Sequence, residues 1–337
     1  MKTAALLALV ACSAPATLPE LVTADTRAES GDVDGAVAAY RAAQQKCGRL
    51  RPQRRAASAC SDALLGEGEV LERHDRKPEA IAVYEAVPTK TDDPMTASTA
   101  TYRAGTLLLA AGKTVEAWTL LWKCVTDWPD EPIAGDALRT LVDDGRGRDA
   151  RALFDQIAKL VTPLAETQIA DNLVWALADL DEHELANLPA ARSLYDRIPA
   201  DYPSSGLRDD ARWKAANLSR QLGDPKGAVE RLRALEATRE VSFGAGSYFS
   251  IWLDDGQLLL GQILRDDLHD LPAAAAAIRK LPELYPASIL RDDALYELAV
   301  TLAEEHDNAG ACRAMADLKK LEPESKYLAK DNPCRPQ

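Results

Sequence analysis

The chain has 337 residues, enough for two globular domains or one repeat array with a sizeable core. Alanine is abundant and aromatic residues are few (Trp 6, Tyr 9, Phe 3), a profile that favours helices over sheets. A formal charge of -13, from 40 Lys+Arg against 53 Asp+Glu with no offsetting basic block, repels phosphate backbones and anionic lipid and argues against nucleic acid as a partner.

At the N-terminus, Lys2 precedes an apolar run from Ala4 to Ala11, followed by Cys12-Ser13-Ala14-Pro15-Ala16. That order suits a cleaved export signal better than the opening of a first helix. Leu9-Val10-Ala11-Cys12 resembles the lipobox of bacterial lipoproteins. The resemblance implies a signal peptide over 1–11, acylation of Cys12 and a tether over 12–17, with two or more acyl chains making the anchor stable. Ser13 stands where an aspartate would signal inner-membrane retention, which points to the outer membrane; cleavage after Ala16 would instead release a soluble periplasmic chain. No later stretch is apolar for the roughly eighteen residues that a membrane-spanning helix requires.

Further along, Cys47 closes one predicted helix and Cys60 opens the next, flanking a basic segment from Gly48 to Ala59 whose base a disulfide would clasp. Cys312 and Cys334 would tie the C-terminal tail, 326–337, back onto the last helix pair. Cys124, on a packed helix face, reads as a buried free thiol. The alternative is that all five are reduced and merely apolar.

Between these markers a small residue followed four later by a large apolar one recurs: Ala36 with Tyr40, Ala80 with Tyr84, Ala117 with Leu121, Ala150 with Phe154, Ala191 with Tyr195, Ala228 with Leu232, Ala274 with Ile278, and Ala311 with Met315. A small residue lets two antiparallel helices approach, and the large one on the same face fills the gap between them. A longer period overlies this one, because Tyr202-Pro203-Ser204-Ser205 and Arg208-Asp209-Asp210-Ala211 return as Tyr285-Pro286-Ala287-Ser288 and Arg291-Asp292-Asp293-Ala294. The Tyr-Pro pairs read as helix ends, Ser205 and Ser288 as caps for the next helix, and the Asp pairs as first-turn charges facing a helix dipole. The first helices near 171–185 and 246–269 read as long or irregular.

Gly105, Gly112, Ala117, Leu121 and Pro129 occupy all five characteristic places of a tetratricopeptide repeat, and the chain resembles that family over 18–325. The resemblance implies an all-α, right-handed α-solenoid of about eight helix-turn-helix repeats, because one helix pair cannot bury its apolar face alone. The lipobox with the Tyr-Pro-x-Ser and Asp-Ala repeats is also similar to BamD-type assembly lipoproteins and to the periplasmic repeat proteins of the Tol-Pal system.

Motifs for chemistry are sparse. Ala111-Gly112-Lys113-Thr114 looks like the end of a phosphate loop, but Leu107 stands where that loop needs glycine. His74, His183, His269 and His306 fall near intra-repeat turns, where a histidine satisfies helix-end carbonyls, and their spacing gives no metal site. No catalytic motif is legible, so neither catalysis nor a cofactor is expected. In the family the first helices line the inner surface, which makes Tyr102, Arg139, Trp213, Asn217, Arg220 and Tyr296 the candidates for partner contact, seam packing being the alternative for the rings. The Trp118, Trp122 and Trp128 series reads as packing. The expectation is a non-enzymatic, lipid-anchored scaffold that binds envelope proteins or peptides, in outer-membrane assembly or envelope maintenance. A carbohydrate- or peptidoglycan-binding lipoprotein is the second reading, and a cytosolic adaptor the third.

Overall fold

The computed structural model describes residues 18–47, 54–238, 240–242, 246–248, 250–330 and 332–334. Sixteen α-helices are found among them. They fall into two compact units. The first holds α1 (Pro19–Glu29), α2 (Val33–Cys47), α3 (Arg54–Arg73), α4 (Lys77–Ala86), α5 (Pro94–Ala110), α6 (Thr114–Asp127) and α7 (Pro132–Gly145). The second holds α8 (Ala150–Val161), α9 (Ala170–His183), α10 (Leu188–Asp201), α11 (Arg208–Gln221), α12 (Pro225–Glu236), α13 (Leu253–Gln262), α14 (Leu271–Leu284), α15 (Arg291–Glu304) and α16 (Asn308–Leu321).

Within each unit a helix packs against its neighbours in sequence: α1 on α2, α2 on α3 and so on through α6, then α8 on α9 through α15 on α16. That is α-solenoid architecture, built from helix-turn-helix pairs. The expected small-large pairs form its core. Ala36, Ala80, Ala117, Ala191, Ala228, Ala274 and Ala311 are fully buried, and so are Tyr84, Leu121, Tyr195, Leu232 and Ile278 four residues later. First helices leave room for these side chains: a Cβ on Gly105 would sit 3.1 Å from the Leu121 side chain.

The fourth pair is out of the expected phase. Ala150 and Phe154 are only half-buried, while Leu153 and Ile157 are buried. The reason lies at the helix start, where Asp149 caps α8 by accepting from the Ala152 amide at 2.9 Å. The same cap stands four residues before the small core residue elsewhere, at Asp32, Asp224, Asp270 and Asp307. Counting four from Asp149 gives Leu153, so this repeat carries leucine where the others carry alanine.

Three other expectations change. The helix with Cys60 begins at Arg54, so the segment between the two cysteines is partly helical; residues 48–53 lie outside the described set. The helix near 171–185 is regular, whereas Glu240–Ser242 and Gly246–Tyr248 form an antiparallel hairpin ahead of α13. α13 then ends in a π turn, Ile263–Asp267. Residues 1–17, including the signal, Cys12 and tether, also lie outside the described set. No helix among the described residues is long and apolar enough to cross a membrane.

The turn inside a repeat needs one residue in the left-handed backbone region just before the cap. Gly31, Gly112 and Gly223 fill that place, and so do Asp75, Ala186, His269 and His306, at φ between 51° and 67°. His269 and His306 therefore make the turn itself rather than cap a helix end.

Successive repeats are joined by a tie that the Tyr-Pro-x-Ser motif builds. Ser205 Oγ donates to Asp171 in the first turn of the preceding first helix, at 2.5 Å, and accepts from the Leu207 amide. Ser288 does the same with Asp254 (2.6 Å) and the Leu290 amide, and Ser325 with Asp292 (2.8 Å) and the Tyr327 amide. Leu207 and Leu290 are the N-cap residues and have no side-chain cap, so the serines tie repeats together instead of capping α11 and α15. Arg208 and Arg291 close the loop by donating to the Pro203 and Pro286 carbonyls, each at 2.6 Å.

Two measurements test these constraints. In urea unfolding, Ala186→Gly is expected to stabilise the chain by roughly 0.5–1 kcal/mol by removing left-handed strain; Gly112→Ala, with nothing within 4 Å of its new Cβ, is expected to destabilise it by about 1 kcal/mol. Ser288→Ala should cost roughly 1–3 kcal/mol, because it removes the hydroxyl donor of Asp254 Oδ2 and leaves the carboxylate only the Asp255 amide on Oδ1. A midpoint unchanged from wild type would remove the tie's structural role.

Candidate functional site

The side chain four residues after each tie aspartate lies at the seam with the next repeat. At α11 this is Trp213, half-buried and stacked on Trp252 with centroids 5.1 Å apart and planes 9° from parallel. Trp252 Nε1 donates to Asp210. At α15 the same arrangement returns: Tyr296 stacks on Tyr327 at 4.4 Å and 16°, and the Tyr327 hydroxyl donates to Asp293. At α9 and α13 the seam is partly aliphatic: Trp175 and Leu207 pack into one cluster, and Leu258 and Leu290 into another. At α15 the Asp-Asp motif thus serves twice, Asp292 receiving the serine and Asp293 the ring that covers the seam; at α11 only Asp210 receives its ring.

Ser250 marks the tie at α11. It accepts from the Trp252 amide at 3.2 Å, but Asp209 is not its acceptor: Asp209 is 4% exposed, and its Oδ2 has no partner. There the connection rests on the Trp252–Asp210 bond and the stacked indoles.

The structure gathers Trp213, Asn217 and Arg220 on one helix. Asn217 Nδ2 donates to the Trp213 carbonyl at 2.9 Å. Arg220 pairs with Asp267 at 2.7 Å and lies 3.7 Å from Asp266, both on the π turn. Lys330 stands over both tyrosine rings at the Tyr296 seam, 5.6 and 4.5 Å from their centroids. In the first unit, the Tyr102 hydroxyl bonds to Thr140 on α7 at 3.3 Å, while Arg139 is exposed and pairs with Asp136. These side chains are restrained by neighbours before any ligand arrives. Trp252 and Tyr327 were the members missing from the sequence reading; each stands two residues after a tie serine, and that spacing was the available signal.

Charged pairs continue the links. Lys214 meets Glu182 at 3.1 Å, and the Tyr195 hydroxyl donates to the same carboxylate at 2.8 Å. Asp179 pairs with Arg146, yet burial still holds its carboxyl above the ordinary range. Arg103 bridges Glu69 and Glu72, and Tyr84 donates to Glu72. Burial raises the Tyr84 and Tyr195 hydroxyls, and the adjacent glutamates add to the shift. Such groups hold their protons and act as fixed donors.

Other sequence features have structural places. Lys113 is the N-cap residue of α6, so Gly112-Lys113 forms an intra-repeat turn. Cys47 is bonded to Cys60 and Cys312 to Cys334, with Cα separations of 5.6 and 4.5 Å. Cys124 is buried and burial pushes its thiol up to about 12, leaving it protonated against the Ser98 carbonyl. Trp118 Nε1 donates to Asp144, and Lys123 lies over Trp128. Among the described residues, no group of three or more His, Cys, Asp or Glu side chains is arranged to hold a metal ion.

No family model and no curated protein matches the chain. Solved structures do. The C-terminal part of a tetratricopeptide-repeat protein from Cytophaga hutchinsonii is 12% identical, covering 91% of this chain and 96% of that one, with a TM-score of 0.42. YrrB, described as a TPR protein with an unusual peptide-binding site, is 14% identical over 60% and 93% of the two chains, with a TM-score of 0.41. PilF of Pseudomonas aeruginosa is 12% identical over 68% and 93%, with a TM-score of 0.40. The chain is similar to these repeat proteins, and its α-solenoid assignment rests on its own repeated helix pairs and ties.

Proposed function

We propose that the chain is a non-enzymatic protein-interaction scaffold, anchored through an acylated Cys12 and facing the periplasm from the bacterial outer membrane. Its first helices bind envelope proteins or extended peptides during outer-membrane assembly or maintenance. The observation that carries this reading is the repeated seam: half-buried rings and charged groups held in place by ties to the next repeat. A surface ordered in advance loses less conformational entropy when a partner docks. Two cystine pairs favour an oxidising compartment, in keeping with export.

The seams also bear on the carbohydrate alternative. A sugar platform needs an open ring face, but Trp213 and Tyr296 each have a face against the neighbouring ring. That arrangement favours protein docking across the seams over sugar stacking on isolated rings. The net charge of -13 remains unfavourable for nucleic acid.

Two experiments separate contact from address. Photo-crosslinkers placed in cells at Trp213 and Tyr296 should capture defined envelope proteins, whereas one at Val115, 78% exposed on α6, should not. Equal yields at all three positions, or no envelope protein at the first two, would overturn the scaffold reading. Labelled fatty acid should enter the wild-type chain and disappear in Cys12→Ala; equal labelling would remove the anchor.

A further inference from the structure

The joint at α11 is half made. At α15, where the same motif is complete, two bonds act together: Ser325 donates to Asp292 at 2.8 Å, and the Tyr327 hydroxyl donates to Asp293 beside the Tyr296–Tyr327 stack. At α11 the ring half is present, with Trp252 Nε1 on Asp210 and Trp213 stacked on Trp252. The serine half is missing.

Both members of the missing bond are nevertheless buried at the joint. Asp209 is 4% exposed; Arg212 donates to its Oδ1 at 3.1 Å, and its Oδ2 is buried without a hydrogen-bond partner. Ser250 is 8% exposed, as Ser205 is in a closed tie, and accepts from the Trp252 amide at 3.2 Å, the distance at which Ser325 accepts from Tyr327. Its hydroxyl proton has no acceptor among the described residues. A buried acceptor and a buried donor, each unspent, carry a desolvation cost that one bond between them removes.

The length of chain at this joint explains why the two are apart. The ring contact spans 42 residues at α11 but 34 at α15, and the hairpin of Glu240–Ser242 and Gly246–Tyr248 stands in the added length. The longer connection releases Ser250 from the register that fixes Ser325, while the Trp252–Asp210 bond keeps it tethered two residues from the joint.

Arg212 sets this joint apart in a second way. It stands three residues after the tie aspartate, where α9 and α15 bury Val174 and Leu295. A carboxylate buried this deeply needs a charged or donating partner, and Arg212 meets that need on Oδ1 while leaving Oδ2 open. The joint therefore stands without its serine and gains a bond when the serine arrives.

We propose that the α11 joint is a latch with two states, open as in this structure and shut by a hydrogen bond from Ser250 Oγ to Asp209 Oδ2. Shutting completes the joint on the pattern of α15, with the Trp252–Asp210 bond and the indole stack retained. Because Trp252 lies two residues from Ser250, the latch sets how firmly the Trp213 seam is held. One joint of the second unit is adjustable where those at α9, α13 and α15 are tied. The inference concerns the joint itself and does not depend on what the seams bind.

Two measurements on the full chain test the two states. Native-state amide exchange reports the open one: the Trp252 amide should exchange at least about tenfold faster than those of Leu290 and Tyr327, which face serines in shut ties. Equal protection of the three would overturn the open state. Urea unfolding of Ser250→Ala, Asp209→Ala and the double variant reports the shut state, with Asp209→Asn standing in if Asp209→Ala does not fold. The latch requires that the product of the two single effects on the unfolding constant exceed the effect of the double variant by about threefold or more. Independent effects, which a bond made in neither state would give, would overturn the latch. Neither readout uses a partner, so a failure of crosslinking from Trp213 and a failure of the latch are told apart.

Discussion

The structure depends on the hydrogen bond by which a serine at the start of one repeat reaches back to an aspartate in the first turn of the previous first helix. A helix pair has two apolar flanks and can cover only one by itself. Packing of neighbouring small and large residues supplies most of the attraction, but such packing tolerates sliding. A charge-assisted bond of about 2.5–2.8 Å, from Ser205 to Asp171, Ser288 to Asp254 and Ser325 to Asp292, sets the position of the next repeat at these three joints. The serine also accepts the amide two residues on, so the loop and the joint become ordered together.

This joint explains why the candidate aromatic residues are where they are. The place four residues beyond the tie aspartate faces the incoming loop, and the residue two beyond the tie serine arrives opposite it. Aliphatic side chains can complete that contact, as Leu258 and Leu290 do. Paired rings cover the same seam while leaving polar edges to find partners, which is why Trp252 and Tyr327 both donate to the second aspartate. Trp213 and Tyr296 are therefore structural and available at once. Seam packing orders them, and their half-exposure leaves them part of the outer surface.

Much of this architecture was legible in the sequence because helix pairing is a periodic constraint on side-chain size. Ala117 with Leu121 or Ala274 with Ile278 announces a packed helix wherever it stands. The Ala150–Phe154 pair misled because size alone does not give phase; the cap at Asp149 does, and it places Leu153 and Ile157 inward. The hairpin before α13 escaped because Gly246 and Tyr248 lie in a segment without helical periodicity. Long-range partners such as Ser288 and Asp254 were hidden for another reason. Local reading assigns a serine near a helix start to capping, and only the thirty-four-residue separation between the two shows the tie.

The same accounting of partners bears on the charge. Much of the carboxylate excess is used inside the fold: aspartates cap second helices, tie repeats and receive the seam donors, while glutamates link first helices through Arg103, Lys214 and Arg265. In these places negative charge faces a helix N-terminus, a hydroxyl or a cation, so its cost is offset locally. Asp62 on α3 is different: it is exposed, without a side-chain donor among the described residues, and solvent meets its charge.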